Sequence, residues 1–208
     1  MKIAQERGIT LGRHLENPGG IFDPIEDVSE LATRLHQHNG RGAWWAPGIF
    51  ADDYRKQENW LGTWTLGVDG DYYAQHAGHS APPAESRVLV APALAGVISG
   101  ALFHETPRGF RSILLLDRFI DDAEEYAAIV KVIQLRIERA LLAAGIFGEV
   151  QRKRDVVCRS TVVVEREGFV VDTGALFDRA RLYFTPNATV ADEASPRKAE
   201  VFLLGGAS

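Results

Sequence analysis

The stretch Thr63-Trp64-Thr65-Leu66-Gly67-Val68-Asp69-Gly70-Asp71 organises the chain. Its first six residues favour a β-strand, which is expected to end in two aspartates separated by one residue. Side chains two residues apart in a strand point to the same face, so Asp69 and Asp71 should project together. Carboxylates this close repel each other unless a cation lies between them, and Mg²⁺ or Mn²⁺ suits such oxygen ligands. A strand followed by an acidic turn at Gly70 explains the same residues without a metal.

The composition indicates one α/β domain. The chain has 208 residues, 46% of them hydrophobic, which is enough for a sizeable core. No apolar run approaches the roughly 18 residues of a membrane span, and charged residues stand where a signal peptide would be apolar. The single cysteine, Cys158, excludes an internal disulfide. We therefore expect a cytoplasmic protein without a membrane partner.

The charge pattern bears on nucleic-acid binding. A net charge of −5 argues against a surface that coats nucleic acid along its whole extent. Local binding stays open, because basic residues cluster in three places: Arg108, Arg111 and Arg118; Arg152-Lys153-Arg154; and Arg179 with Arg181.

Helix and strand patterns alternate along the chain, which is typical of an α/β domain. Glycines and prolines predict irregular structure over residues 1–26. Apolar spacing predicts helices over residues 27–38, over most of 84–103, and from Asp121 or Asp122 to Gly145. Strands are predicted at 110–116 and 181–184, with residues 161–164 and 168–171 forming a pair. The intervening residues 72–83 and 147–155 are expected to be a loop and a basic connection.

Three stretches stand out together. They are Leu-Gly-Val-Asp-Gly-Asp at 66–71, then His-Glu-Thr-Pro-Arg-Gly-Phe-Arg at 104–111 running into an aliphatic strand, and finally Val-Asp at 171–172 followed by Asp-Arg-Ala-Arg-Leu-Tyr-Phe-Thr-Pro at 178–186. This order resembles the archaeo-eukaryotic primase superfamily, in particular the primase-polymerase domains of phage and plasmid replication proteins. The resemblance covers about residues 55–186. Phe119 and Arg179 stand where prolines are usual, and the second motif lacks the plain Ser-x-His form.

The resemblance implies roles for individual residues. Asp69, Asp71 and Asp172 match the catalytic aspartates that hold two Mg²⁺ or Mn²⁺ ions. Nucleotide binding is implied for the basic residues His104, Arg108, Arg111 and Arg181. Asp178 competes with Asp172 as the third carboxylate, and we prefer Asp172 because Val170-Val171 gives it a strand end like that of Asp69.

The resemblance also implies a fold and an activity. The expected fold is a single α/β catalytic domain, residues 1–208, whose RRM-like sheet core is covered by helices. Within it, residues 61–190 would be the catalytic core, and residues 1–60 an N-terminal extension of helix and loop. The expected activity is template-directed nucleotidyl transfer, that of a DNA primase or DNA polymerase in the replication of a mobile element. The implied partners are a DNA template and primer, nucleoside triphosphates, and a helicase domain or protein.

Two expectations follow from the residues themselves. Arg111 opens a strand and shares a face with the apolar residues Ile113 and Leu115. A buried arginine needs an anionic partner, which a triphosphate would supply. Asp69 is expected near solvent among mutually repelling carboxylates, so its removal should spare the fold.

Three alternatives stay open at this point. Clustered carboxylates also serve two-metal nucleases and phosphohydrolases. A non-catalytic module could bind single-stranded nucleic acid by stacking bases on Trp44, Trp45, Tyr72 and Tyr73. The pair His76-x-x-His79 has the spacing of zinc ligands, but no nearby cysteine completes the set.

Overall fold

The computed structural model describes residues 6–13, 19–38, 40–154, 160–186, 188–189 and 200–205. Its first part contains β1 (Gly8–Gly12), β2 (Ile21–Pro24), α1 (Val28–Gln37), β3 (Gly40–Arg41), β4 (Trp44–Ala46) and β5 (Gly48–Phe50). The middle contains β6 (Trp60–Ala74), β7 (Gly78–His79), α2 (Ala84–Ala95), β8 (Leu102–Thr106), β9 (Gly109–Ile120) and α3 (Ala123–Ala143). The last part contains β10 (Glu149–Arg154), β11 (Ser160–Arg166), β12 (Gly168–Val171), α4 (Thr173–Phe177), β13 (Tyr183–Phe184), β14 (Ala188–Thr189) and β15 (Phe202–Leu203).

Strand β6 is the centre of the largest sheet. It pairs antiparallel with β9 on one side, and on the other with β12, whose Val170 lies opposite Asp71. Strand β8 pairs with the far side of β9, so the strand order is β12-β6-β9-β8-β15. The short strands β5 and β7 also pair with β6. All these pairings are antiparallel, and the expected α/β class is confirmed in the form of a mixed, antiparallel architecture.

The central elements follow one another in a β-α-β-β-α-β order: β6, α2, β8, β9, α3 and β12. The hairpin of β10 and β11 is inserted between α3 and β12. Helices begin where the sequence provides caps. Asp27 Oδ1 accepts from the amides of Ser29 and Glu30 at the start of α1, and Asp122 Oδ1 accepts from Glu125 N at the start of α3. The predicted starts of both helices are confirmed.

The two faces of the central sheet are both covered, at least in part. One face packs against α2 and α3 in a core that includes Leu66, Val68, Val90, Leu94, Val130, Ile137 and Phe169. The opposite face packs against the N-terminal elements and β13 in a second core that includes Ile9, Leu31, Leu35, Trp45, Leu102, Ile113 and Tyr183. Because successive side chains of β6 point to opposite faces of the sheet, Asp69 and Asp71 project from the second face, away from α2 and α3.

The N-terminal part contains more strand than its glycines and prolines predict. Residues 1–26 were expected to be irregular, but β1 and β2 form a second sheet with the order β13-β4-β1-β2. The glycines act as spacers here: a Cβ at Gly12 would overlap the ring of Trp44, and one at Gly8 the ring of Phe22. A glycine that admits an aromatic ring looks, in sequence, the same as one that breaks a strand.

Other predicted elements also differ from the structure. Residues 161–164 and 168–171 do not pair with each other, because β11 pairs with β10 while β12 joins β6. The helix predicted over residues 84–103 ends at Ala95, and Leu102 and Phe103 open β8 instead. The expected connection at 147–155 contains β10, and the expected loop at 72–83 contains the end of β6 and β7. Short apolar runs do not distinguish strand from helix by periodicity, which explains the second of these differences.

Candidate active site

Four of the residues singled out in the sequence form one row across the central sheet. Asp69 of β6 lies opposite Arg111 of β9, and Arg111 lies opposite His104 of β8. On the other side of β6, the amide of Asp172 donates to the carbonyl of Asp69 at 2.9 Å, immediately after β12 ends. The order along the row is therefore Asp172, Asp69, Arg111 and His104. The β-sheet register thus brings together three motifs that are far apart in sequence.

Asp69 and Arg111 form a two-point ion pair. Arg111 Nε donates to Asp69 Oδ1 at 2.6 Å, and Arg111 Nη2 donates to Oδ2 at 3.0 Å. The side chains are 15% and 11% exposed, so water screens the pair little. Burial is the largest single influence and lowers the pKa of Arg111, but the charge and hydrogen bond of Asp69, with the charges of Tyr183 and Asp71, together outweigh it and the net shift is upward. The guanidinium is therefore charged and its partner is a carboxylate of the protein.

Two further contacts fix the guanidinium of Arg111. Its Nη1 donates to the carbonyl of Phe184 at 2.8 Å, and the ring of Tyr183 lies 4.6 Å from its Cζ. Burial, followed by the charge of Asp69, raises the pKa of Tyr183, so its hydroxyl stays protonated and donates to the carbonyl of Gly67 at 2.9 Å. A Cβ at Gly67 would lie 2.6 Å from the Tyr183 ring, so this close packing requires glycine.

These contacts correct two expectations from sequence. Arg111 does share its face with Ile113 and Leu115, and it is buried, as predicted. Its anionic partner in the structure is Asp69, whereas a triphosphate was expected. Asp69 is not a free carboxylate near solvent, since it balances the charge of a buried arginine. Its removal would leave that charge unpaired, so the structure predicts a loss of stability where the sequence predicted none.

Asp71 experiences an excess of negative charge. Burial, followed by the charges of Asp69 and Asp172, raises the pKa of Asp71, while His79 and Arg108 act in the opposite direction. Asp71 Oδ2 lies 3.5 Å from His79 Nδ1. The three aspartates implied as catalytic are thus near enough for two of them to perturb the third, and a cation at this place would relieve the repulsion.

Asp172 and Asp178 have different environments. Asp172 lies beside Asp69, caps α4 by accepting from Ala175 N at 3.1 Å, and has Arg181 Nη2 3.8 Å from its other oxygen. Asp178 Oδ1 accepts from Gln57 Nε2 at 2.9 Å and from Ala180 N at 3.0 Å, which holds a turn. The carboxylate in the row is therefore Asp172, and Asp178 stabilises a loop.

Two cavities flank the row. The first has a volume of about 450 Å³, and its polar lining includes Arg87, His104, Glu105, Thr106, Arg111 and Thr185. The second has a volume of about 380 Å³ and is lined by Asp71, Tyr73, His79, Glu138, Asp172 and Thr173 among others. The first lies over β8 and β9 and contains three basic side chains and two acidic ones, Glu105 and Glu200. The second lies along β6 and β12 and contains three acidic ones.

The predicted nucleotide-binding residues separate into two groups. His104 and Arg111 line the first cavity, whereas Arg108 and Arg181 do not. Arg108 lies in the turn between β8 and β9, and its charge acts to lower the pKa of Asp71. Arg181 forms an ion pair with Asp172. Arg87 was missed from the sequence. It projects from α2 and donates to Glu105 Oε2 at 2.7 Å, and no motif or spacing marks a helical arginine of this kind.

The carboxylates of Asp69, Asp71 and Asp172 are chemically suited to hard divalent ions, although their oxygens do not converge on one metal position. Among the described residues, no group of three or more His, Cys, Asp or Glu side chains is arranged to hold a metal. Asp69 is bonded to Arg111, and Asp172 uses one oxygen as a helix cap. Carboxylate oxygens are what Mg²⁺ and Mn²⁺ prefer, and burial, together with the charges of Asp69 and Asp172, raises the pKa of Asp71. Binding would require Asp69 to exchange Arg111 for the ion.

One alternative from the sequence does not fit the geometry, and a second concerns the histidine pair His76 and His79. Trp44 and Trp45 are fully buried, and Tyr72 and Tyr73 are almost so, so these four rings offer no exposed platform for stacking bases. His76 adopts a positive φ of 68° in the turn before β7, while His79 contacts Asp71 and Tyr73. The pair was considered for zinc, but the side chains near His79 are Asp71 and Tyr73.

Comparisons with known proteins leave the site to be judged from its geometry. No protein-family model matches the chain, and no curated protein sequence matches it significantly. Within the described ranges, none of the helices is both long and apolar enough to cross a lipid bilayer.

Proposed function

We propose that this protein catalyses template-directed nucleotidyl transfer, as a primase-polymerase of the archaeo-eukaryotic primase type. The observation that carries the proposal is the row Asp172, Asp69, Arg111 and His104, which unites the three motifs of the resemblance on adjacent strands. The β-α-β-β-α-β order also supports it, since an RRM-like sheet of this kind is what the resemblance implies. The proposed partners are a DNA template and primer, nucleoside triphosphates, and a helicase.

The two cavities suit the two halves of the reaction. The triphosphate binds in the first cavity, where Arg87 and Arg111 supply charged donors to its oxygens and His104 lines the wall beside them. The reacting end of the primer approaches from the second cavity, beside Asp71 and Asp172. Two Mg²⁺ or Mn²⁺ ions, when bound, activate the attacking hydroxyl and neutralise the leaving pyrophosphate.

Arg111 has a further task in this reaction. Arg111 contacts Asp69 and also lines the first cavity, so a phosphate bound there can replace the carboxylate as its anionic partner. The arriving triphosphate supplies the new anionic partner for Arg111, and Asp69 becomes available as a ligand. In this exchange Asp69 and Arg111 each keep a partner of opposite charge. Loss of the ion pair without new partners would leave both charges unpaired.

The test is a primer-extension assay. The full chain is incubated with a primed template, labelled nucleotides and Mn²⁺, alongside Asp71→Asn and the control Asp178→Asn. Extension by the wild type and the control, with none by Asp71→Asn, supports the proposal. Degradation of the primer would indicate a two-metal nuclease instead. Binding of DNA without a change in its length would indicate a non-catalytic module, and either result would overturn the proposal.

A further inference from the structure

A tyrosine, a histidine and an aspartate lie in sequence at the second cavity, with a hydrogen bond between the first two and an ion-pair contact between the last two. The hydroxyl of Tyr73 lies 2.7 Å from His79 Nε2, and the centroids of the two rings lie 4.1 Å apart. On its other side, His79 Nδ1 lies 3.5 Å from Asp71 Oδ2. All three residues line the same cavity. Strand β7 fixes the arrangement, because His79 lies directly opposite Tyr73 in the β6–β7 pairing.

This order of groups matches that of an activated nucleophile. A hydroxyl is bonded to a base, and the base is oriented by a third group, which is how proteins make weak nucleophiles react. With Nδ1 toward the Asp71 carboxylate, Nε2 is the ring nitrogen of His79 that faces the hydroxyl. Tyr73 Oη is thus placed to transfer its proton to His79 as it attacks. Alternation along β6 places Tyr73 on the same face as Asp69 and Asp71.

The position of Tyr73 also suits in-line attack. In phosphoryl and nucleotidyl transfer, the attacking and leaving oxygens lie on opposite sides of the phosphorus. The first cavity, with Arg111 and His104, lies over β9 and β8, and Tyr73 lies in the cavity along β6 and β12. An α-phosphate beside Asp71 would have its pyrophosphate toward the first cavity. Its opposite side would then face Tyr73.

We propose that the Tyr73 hydroxyl accepts a nucleotide, so that the protein itself starts a chain without a nucleic-acid primer. The inference rests on the proposed function, because the donor is the same nucleoside triphosphate. A bond forms between Tyr73 Oη and the α-phosphorus, and the bond from that phosphorus to the bridging oxygen breaks. Pyrophosphate leaves with the electron pair, and the hydroxyl proton passes to His79 Nε2. The product is a tyrosyl nucleotide whose free 3′-hydroxyl is available for extension.

The experiment looks for label on the protein. The full chain is incubated with α-labelled nucleoside triphosphates and Mn²⁺ in the absence of nucleic acid, then denatured and separated by electrophoresis. We expect label that stays with the denatured protein, and mass spectrometry should find one nucleoside monophosphate on Tyr73. Tyr73→Phe should lose the label, and His79→Gln should slow labelling by roughly 100-fold, the usual effect of removing a general base.

Two tyrosines provide controls. Tyr72 is the neighbour of Tyr73 on the opposite face of β6, packed against Phe169, and Tyr54 is 39% exposed on the surface. Tyr72→Phe and Tyr54→Phe should keep the label. Label on another residue, or label that survives in Tyr73→Phe, would overturn the inference. If Tyr73→Phe does not fold, the mapped residue in the wild type gives the answer.

A primer-extension reaction run beside it separates the two proposals. Extension of a DNA primer by the wild type without label on the protein overturns the inference and leaves the proposed function intact. If neither primer extension nor label on the protein is observed, the proposed function and the inference about Tyr73 are both overturned. Extension together with label on Tyr73 supports both.

Discussion

The carboxylate of Asp69 and the guanidinium of Arg111 satisfy each other at two points across the β6–β9 pairing. Arg111 is buried and Asp69 is partly buried, and each stands in a different motif of the resemblance. The pair therefore ties the first motif to the second through a single interaction. A ligand that binds one of these two side chains must therefore also supply a new partner of opposite charge for the other.

The first prediction concerns the stability of this pair. Asp69→Ala should lower the free energy of unfolding by about 3–5 kcal/mol, because it leaves the Arg111 charge buried and unpaired. Arg111→Met combined with Asp69→Leu should cost less than Asp69→Ala alone, because no charge is left behind. Urea unfolding of Asp69→Leu, Arg111→Met and their double variant, beside the wild type, measures the coupling. Additive costs in the double variant would show that the two side chains act independently.

The second prediction concerns pH. Burial and the charges of Asp69 and Asp172 raise the pKa of Asp71 in the folded protein above its usual 3.8. The folded state then binds more protons than the unfolded state between these two values, so stability should fall as pH rises through that window. In metal-free protein, Asp71→Asn should flatten this dependence, and the variant should be at least as stable as the wild type at neutral pH.

The measurement is urea unfolding in a chelating buffer from about pH 4 to pH 7. Asp117→Asn, which replaces an exposed aspartate near the far end of β9, is the control and should leave the wild-type slope unchanged. A slope that persists in Asp71→Asn would assign the pH dependence to another group.

The third prediction concerns Arg87, which sequence analysis did not select. Arg87→Ala should raise KM for nucleotide by about 10- to 100-fold, because it removes a charged donor from the first cavity. Its surface pairing with Glu105 contributes little to folding, so the melting temperature should change little. Arg118→Ala is the matched control, since Arg118 also pairs with a glutamate but lies outside the cavity lining. An equal effect of both substitutions on KM would exclude a specific role for Arg87.

The fourth prediction separates the two candidate third carboxylates. Asp172→Asn should reduce kcat by at least about 100-fold, as expected for a group that stabilises charge at the reaction centre. Asp178→Asn should leave kcat close to that of the wild type. Asparagine can still accept the amide bonds that each aspartate makes, so both variants should fold. Loss of activity in Asp178→Asn alone would reverse the assignment.

The fifth prediction tests the close approach of β6 and β9 beside Asp71. A Cβ at Gly109 would overlap the carbonyl of Gly70, so Gly109→Ala should cost about 1–3 kcal/mol through forced separation of the strands. Gly96→Ala is the control, because its Cβ would meet nothing nearer than the Ala93 carbonyl at 3.9 Å. Thermal unfolding should show a lower melting temperature for Gly109→Ala only.

Sequence reasoning succeeded where local chemistry sets the structure. Asp27 and Asp122 cap their helices because each cap depends on a few adjacent residues. The burial of Arg111 beside Ile113 follows from alternation within a single strand. Sequence reasoning failed where the structure depends on the register between strands that are distant in the chain. The partner of Arg111 is set by the pairing of β6 with β9, and no local pattern encodes that pairing.

The candidate site shows the same division. The motifs identify Asp69, Asp71, Asp172, His104 and Arg111, but they do not reveal that Asp69 is already bonded. Arg87 and Tyr183 reach the site through the packing of α2 and β13, so neither carries a signal in its own neighbourhood. His79 was visible only as half of a histidine pair. Its actual neighbours, Tyr73 and Asp71, depend on the tight hairpin between β6 and β7.

The hydrogen bond from Tyr183 to Gly67 joins residues 116 positions apart in the chain. Arg111 is likewise held by a carbonyl 73 positions further along. During synthesis, β6 and β9 emerge from the ribosome long before these contacts can form. Contacts between such distant residues form slowly, because the entropy of closing a large loop must be paid first. The charge of Arg111 is therefore enclosed only after β13 has been synthesised, and a nascent chain that stops before β13 would expose it to water.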